Sequence, residues 1–363
     1  MKKTLVALAV LGSFAGAASA ATSVTLYGTV DAGYEDWSGK GDYKGDKAPF
    51  NSKFVQGGTT EGNSKIGLKG QEDLGNGLAA VFKLEGEIWG DTGESDLFNK
   101  ETTVGLKGNF GEVKFGRAKS QMDLALGGIV PGARVADLDL YSVASTRHAN
   151  GMFYSYDNAG FSFGADVTTK GGALDKAGVS KEGEKDSKIG YGVRAGWTGN
   201  VGGNVTLLAR LAHQNDGKYG NGNKTARETG GLLAVVVPYS NNALTVGVAY
   251  AQGRGLASDL AHEKFASSTV TTIATDKART LSAVVASTFG PNDSAYVKYQ
   301  DRKGKTNGAT DYKGNVWAIG YSHSLSKRTS VYADAAYAKI KNRKGVDMNG
   351  KAVGYSVGLA HNF

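Results

Sequence analysis

The chain has 363 residues, with 42 Lys and Arg against 34 Asp and Glu, five His, 54 Gly, four Pro and no Cys. The lack of cysteine excludes a disulfide framework. Glycine at about twice its usual share, with so little proline, excludes a collagen-like or proline-rich disordered chain. The formal charge of +8 raises nucleic acid as a partner, but the basic residues are spread along the chain and mixed with acids, as on solvated faces.

Residues 1–20 read as a secretory signal peptide: Lys2 and Lys3 are the charged region, Leu5 to Ala17 the apolar region, and Ala18-Ser19-Ala20 the small-x-small cleavage pattern. Cleavage near Ala20 exports residues 21–363, lowers the charge to +6 by removing two lysines, and argues against a nucleic-acid partner. No later stretch approaches the run of about 18 apolar residues that a helical span needs. The hydrophobic share of 40% and mean hydropathy of −0.30 suit a water-soluble protein or a β-barrel with one wet face.

From Val24 onward the pattern has period 2 almost throughout. Val24, Leu26, Gly28 and Val30 alternate with Thr25, Tyr27, Thr29 and Asp31. Ile66 and Leu68 alternate with Lys65, Gly67 and Lys69, and Phe82, Leu84 and Ile88 with Lys83, Glu85 and Glu87. The same alternation continues through Phe161 to Val167, Tyr191 to Trp197, Leu244 to Tyr250 and Trp317 to Tyr321. Sixteen such segments begin near residues 24, 62, 77, 99, 111, 149, 160, 187, 202, 225, 242, 277, 293, 313, 329 and 351. Each runs about 8 to 12 residues, the length a tilted strand needs to cross the hydrocarbon layer.

Short connections, such as Gly108-Asn109-Phe110-Gly111, Asn158-Ala159-Gly160 and Gly290-Pro291-Asn292-Asp293, alternate with long polar ones at 37–61, 118–146, 170–186 and 253–276. Short turns on one rim and long loops on the other mark a transmembrane barrel. In lipid every backbone N–H and C=O must find a partner, and a closed barrel of strands achieves that. These observations predict an all-β fold: a 16-stranded antiparallel transmembrane β-barrel, with aromatic residues such as Tyr27, Trp89, Trp197, Tyr239 and Tyr321 near its rims.

Three stretches add a resemblance. Ser23-Val24-Thr25-Leu26-Tyr27-Gly28-Thr29-Val30-Asp31-Ala32-Gly33, the run Ser64 to Leu78 (SKIGLKGQEDLGNGL), and Val104 to Gly108 followed by Phe115-Gly116-Arg117 resemble the general diffusion porins of neisserial and related β-proteobacterial outer membranes. So does the terminus, Val357 to Phe363, while residues from about 160 to 310 match in pattern alone. The resemblance implies a homotrimer in the outer membrane, in contact with lipid bilayer and lipopolysaccharide, passing ions and small hydrophilic solutes passively. It implies that loop 118–146 folds into the lumen as the constriction, with Asp123, Asp137 and Asp139 as its acids. The facing wall is expected to carry Lys65, Arg117 and Arg147, joined by Lys100 where many relatives have Arg. Alternation puts Lys83 and Arg194 on the inner face too, and also Arg147, whereas Arg117 needs a kink at Gly116 to turn inward. Phe363 is the expected signal for the barrel assembly machinery.

Acids facing bases across a narrow aqueous gap set up a field that biases the passage of charge. The net positive charge and basic wall predict weak anion preference. Catalysis finds little support. The histidines (His148, His213, His262, His323 and His361) have no metal-binding spacing, and Gly304-Lys305-Thr306 lacks the glycine a phosphate-binding loop needs at 299, which is Tyr. No cofactor or metal is implied. A solute-specific channel, an adhesin barrel and a soluble β-sandwich are the rival readings.

Overall fold

The computed structural model describes residues 23–43, 46–47, 53–56, 64–90, 92–127, 146–169, 189–219, 224–254, 256–258, 273–275, 277–306, 310–342 and 348–363. The expected signal peptide and the loop acids Asp137 and Asp139 lie outside the described residues.

Sixteen long antiparallel strands form the wall. They are β1 (Ser23–Tyr43), β2 (Lys65–Gly75), β3 (Leu78–Trp89), β4 (Glu94–Gly108), β5 (Gly111–Lys119), β6 (Arg147–Asn158), β7 (Phe161–Thr168) and β8 (Gly190–Asn200). They continue as β9 (Thr206–Tyr219), β10 (Lys224–Tyr239), β11 (Asn242–Arg254), β12 (Lys277–Phe289), β13 (Asp293–Thr306), β14 (Thr310–Ser324), β15 (Thr329–Asn342) and β16 (Met348–Asn362). Each pairs with its sequence neighbour, and β1 closes the ring against β16 from Thr29↔Asn362 to Tyr43↔Met348. Every predicted segment start falls within a few residues of an observed one. Several strands run longer than the predicted 8 to 12 residues, up to 21 in β1. Two short strands, Asp46–Lys47 and Lys53–Gln56, fold back on β1 inside a segment expected to be loop. A second short pair, Leu256–Ser258 and Ile273–Thr275, forms a separate hairpin.

The two faces of the wall obey different solvents. Leu26, Val104, Phe115, Leu211, Leu233, Val248, Leu281, Val297 and Ile319 are all exposed and all lie outward by register. In water that would be a serious liability; in lipid it is the requirement. Aromatic pairs on this face gather near the turns, as Phe161 with Trp197 and Phe289 with Tyr321, and again farther up, as Tyr299 with Trp317 at 4.5 Å between ring centroids.

The inner face is polar and crowded. Its buried side chains include Asp31, Glu35, Glu85, Glu101, His148, Gln214, Glu228 and Asp334. Part of the glycine excess is explained here. Large inner side chains lie flat along the wall, and the strand beneath them must lack a Cβ. A Cβ on Gly320 would stand 2.3 Å from the Tyr296 ring, and one on Gly358 2.2 Å from the Tyr332 hydroxyl.

Candidate functional site

A short helix, α1 (Gln121–Leu126), leaves the end of β5 and packs inside the barrel. Its cause is local. Ser120 caps the N-terminus by accepting from the Asp123 amide at 3.3 Å, and the Gly127 amide closes the other end on the Asp123 carbonyl at 2.9 Å. Met122, Ala125 and Leu126 share one stripe and are buried against Ala212, Leu232, Ala249, Ala251 and Val284. Those five residues are inward-facing positions of β9 to β12, so the start of loop 118–146 is glued to the inner wall by apolar contact. Arg210 Nη1 reaches the carbonyls of Leu124 and Gly127, each at 3.4 Å, at the helix end where cations are favoured. Gln121 lies over Gly164 and Gly192, where a Cβ would meet its side chain.

Nearby, His148 is fully buried between two carboxylates, with Nδ1 2.5 Å from Asp166 and Nε2 3.1 Å from Asp216. Gln214 Nε2 donates to the same Asp216 oxygen at 2.6 Å. This cluster joins β6, β7 and β9 across β8, whose Gly190 and Gly192 leave the room.

Across the lumen the inner faces of β1 to β4 carry a ladder of mixed charge. Lys65, Gly67 and Lys69 on β2 stand opposite Glu87, Glu85 and Lys83 on β3, and Glu85 stands opposite Glu101 on β4. Lys83 pairs with Glu101 and lies 3.5 Å from Glu85; Lys65 is 3.8 Å from Glu85; Lys100 holds Glu87 at 3.0 Å. The Tyr27 hydroxyl donates to Glu85 at 2.9 Å, and Lys69 stands over its ring. The two signs are unequally exposed. The Lys65 and Lys83 side chains are 34% and 33% accessible, against 7% for Glu85 and 11% for Glu101. At Lys65 and Lys83, water in the lumen therefore meets ammonium groups before it meets Glu85 or Glu101, whereas at the largely buried Lys100–Glu87 pair the carboxylate is the more open, at 18% against 6%.

The structure distributes the expected site residues as follows. Lys65 and Lys83 stand together on the wall with Lys100. Gly116 is bulged, with φ 128 and a register shift before Ala118. The half-buried Arg117 beyond it donates from Nε to the Asn99 carbonyl at 2.7 Å, and the Asn99 amide donates to Glu87. Arg147 is half-buried opposite Lys119 and close enough to Lys100 for their charges to repel. Arg194 belongs to the other side, beneath α1, donating to Ser162 at 3.3 Å. Asp123 is buried and paired with Lys119 at 2.7 Å, so its charge is taken up at the base of its own helix. Phe363 lies at the barrel seam, where it exchanges backbone hydrogen bonds with Gly28 at 3.1 and 3.2 Å.

Arg210, the His148 cluster and the acids Glu85 and Glu101 were not among the expected site residues. The acids carried a signal, since they alternate in phase with Lys83. His148 did not. Asn150 takes a left-handed φ of 50, which breaks the alternation, so His148 is buried on the inner face against strict parity.

A closed barrel with a lipid-ready exterior, ion pairs on a wet interior and a loop helix docked within it is a transmembrane diffusion channel. The sequence matches the Gram-negative porin family model over residues 7–344. It is 32% identical over 398 residues to an outer membrane porin protein of Bordetella pertussis, with the whole of both chains aligned. It is 29% identical over 365 residues, again the whole of both chains, to the major outer membrane protein P.IB of Neisseria meningitidis serogroup B. Among solved structures it resembles the anion-selective porin from Comamonas acidovorans, with a TM-score of 0.63 and 25% identity over 94% of this chain and 100% of that one. The chain belongs to the Gram-negative porins. It is an outer-membrane channel for passive diffusion of ions and small hydrophilic solutes.

Proposed function

We propose that this porin is an anion-preferring pore whose constriction lies between α1 on one side and the Lys65–Lys83–Lys100 ladder on the other. The observation that carries this reading is the unequal exposure around Glu85: Lys65 and Lys83 are one-third open to water while Glu85 and Glu101 are almost closed, and the Lys100–Glu87 pair is largely buried on both sides. Cations presented to a narrow aqueous path between low-dielectric walls raise the local anion concentration. Arg117 and Arg147 add positive charge beside the ladder, and Arg194 adds it below the helix. The Comamonas relative, described as anion-selective, supports the same sign. Asp137 and Asp139 are assigned to the constriction by the family resemblance alone.

In this reading the protein works as a homotrimer without cofactor or catalytic step. Residues 1–20 are removed on export, lipopolysaccharide surrounds the extracellular half, and the Phe363 strand is read by the barrel assembly machinery. The test is recording in a planar bilayer under a KCl gradient. Conductance in groups of three equal steps, with a reversal potential on the chloride side, is expected. A reversal potential on the potassium side would overturn the preference, and a folded barrel without conductance would overturn the open pore.

A further inference from the structure

Loop 118–146 leaves the wall at the end of β5 and returns at the start of β6, and its two ends are tied together. Ser120, the N-cap of α1, donates its amide to the Thr146 carbonyl at 2.9 Å, and Ala118 lies in register with His148. His148 follows Thr146 by two residues, so it stands at the base of the loop.

The side chains of His148 and Asp166 are wholly buried, and that of Asp216 nearly so. Each ring nitrogen lies within hydrogen-bond distance of a carboxylate oxygen. An ionised carboxylate only accepts, so both nitrogens carry protons and the ring is an imidazolium. One buried cation thus stands between two buried anions. The charges that act on it are those of Asp166 on β7 and Asp216 on β9. Other charged groups on the surrounding elements are placed differently. Lys119 on β5 pairs with Asp123 of α1, Arg147 is in register with Lys119, and Arg194 on β8 donates to Ser162. Glu228 on β10 is buried in register with Gln214, whose amide donates to Asp216.

The cluster reaches α1 through one oxygen. Asp166 faces the ring with Oδ2, while its Oδ1 is buried over Gly192 with no hydrogen-bond donor among the described residues. The stem of Gln121, the first residue of α1, fills the same gap. A Cβ on Gly192 would stand 2.7 Å from Asp166 Oδ1 and 3.1 Å from Gln121 Cγ. Gln121 is itself buried. A swing of Asp166 out of the cluster therefore displaces Gln121, and with it the N-terminus of the helix.

We propose that His148 is the positioning residue of the constriction: its imidazolium holds Asp166 and Asp216 together and thereby fixes the seat of α1 in the lumen. The role rests on the proposed placement of the constriction at α1, and it is independent of the sign of the pore's selectivity. Its physical cause is charge balance. Taking away one partner of a buried ion pair leaves the other charge uncompensated where water cannot relieve it. Without the cation the two carboxylates repel, and Asp166, whose Oδ1 already lacks a donor, is the one that moves. Raising the pH until the ring gives up its second proton has the same effect, so the quiet state lies on the acid side of that release.

The test uses refolded full-length protein, comparing wild type, His148→Gln, and His148→Gln combined with Asp166→Asn. Ring-¹⁵N-labelled histidine is read by NMR, with the His148 signals identified by their loss in the variants. Single channels are recorded over the same pH range. At neutral pH both ring nitrogens of His148 should be protonated. His148→Gln should show roughly fivefold more frequent excursions to other current levels than wild type, because two buried carboxylates face each other. Adding Asp166→Asn removes one of them and should bring the frequency back to within about twofold of wild type, a coupling expected of groups in direct contact. Wild type should acquire the same excursions as the pH rises, in step with the NMR titration, and the double variant should show no such step. If His148→Gln alone does not refold, the double variant against wild type still decides. A single ring proton at neutral pH, a quiet His148→Gln channel, a double variant as unsteady as the single one, or an unchanged pH step in the double variant would each overturn the role. A quiet His148→Gln channel beside an unsteady Met122→Ala, Leu126→Ala channel removes the role of His148 alone; quiet records from both remove the constriction at α1 as well.

Discussion

Glu85 is contacted by Lys65, Lys83 and the Tyr27 hydroxyl, and Lys83 is shared between Glu85 and Glu101. Removing one member leaves the others uncompensated, so the sign of the pore's local charge hangs on single residues. Lys83→Gln deletes one cation and exposes two carboxylates to its former place. A unit charge acting on a passing ion at about 8 Å through water is worth about 0.5 kcal/mol, roughly a twofold change in occupancy. Chloride should lose about that factor and potassium gain it, moving the reversal potential measurably toward the potassium side. The shift should shrink between 0.1 M and 1 M salt, where screening shortens to a few ångström. A shift that survives high salt would point to a change of pore shape. Arg194→Gln should move selectivity less, because that guanidinium lies beneath α1 rather than on the ladder.

At the scale of the element, α1 separates what the sequence displays from what it hides. Six residues are under two turns, too few for a helical period to stand out from a chain that alternates almost everywhere else. The docking is also non-local: Met122 and Leu126 meet Leu232 and Val284, more than a hundred residues away, and nothing in 118–127 alone names that surface. The strand irregularities divide in the same way. Gly116 was legible as a kink because glycine tolerates its φ of 128, whereas Asn150 at φ 50 looked like any strand residue, so the irregularity that brings His148 to the inner face was hidden. Burial of Leu126 and Met122 contributes roughly 1.5–3 kcal/mol each to holding the helix against the wall. The double change Met122→Ala, Leu126→Ala removes most of that. Single-channel records of this variant should show noisier and larger conductance, while barrel thermal stability changes little, since the wall's hydrogen-bonded ladder is untouched. A variant that loses the barrel along with the quiet pore would show that α1 is part of the folding core instead.

For the whole molecule, the barrel was legible because lipid allows no unpaired strand edge, so alternation, strand length and the order of short and long connections all answer one constraint. What lay beyond it, the site chemistry inside, answers to packing and was seen only in outline. The seam between β1 and β16 shows how the constraint is completed. Phe363 donates its amide to the Gly28 carbonyl and accepts from the Gly28 amide, and the ring lies against Gly28, where a Cβ would stand 2.4 Å from it. The ring and the backbone therefore contribute differently. On a lipid-facing surface an aromatic ring gains little from leaving water that is absent there, so Phe363→Ala should forfeit packing contacts worth about 1 kcal/mol. Deleting Phe363 instead leaves both Gly28 groups without their partners at the seam, and an unsatisfied backbone group in lipid costs several kcal/mol. Heat-shift electrophoresis of refolded protein should rank wild type just above Phe363→Ala, and both well above the deletion. The same ranking in the outer membrane of cells would make the seam bonds the sole contribution of the terminus. A fall in cellular level for Phe363→Ala far greater than its loss of stability in vitro would mean that the ring is read during assembly, as the proposed recognition of the last strand requires.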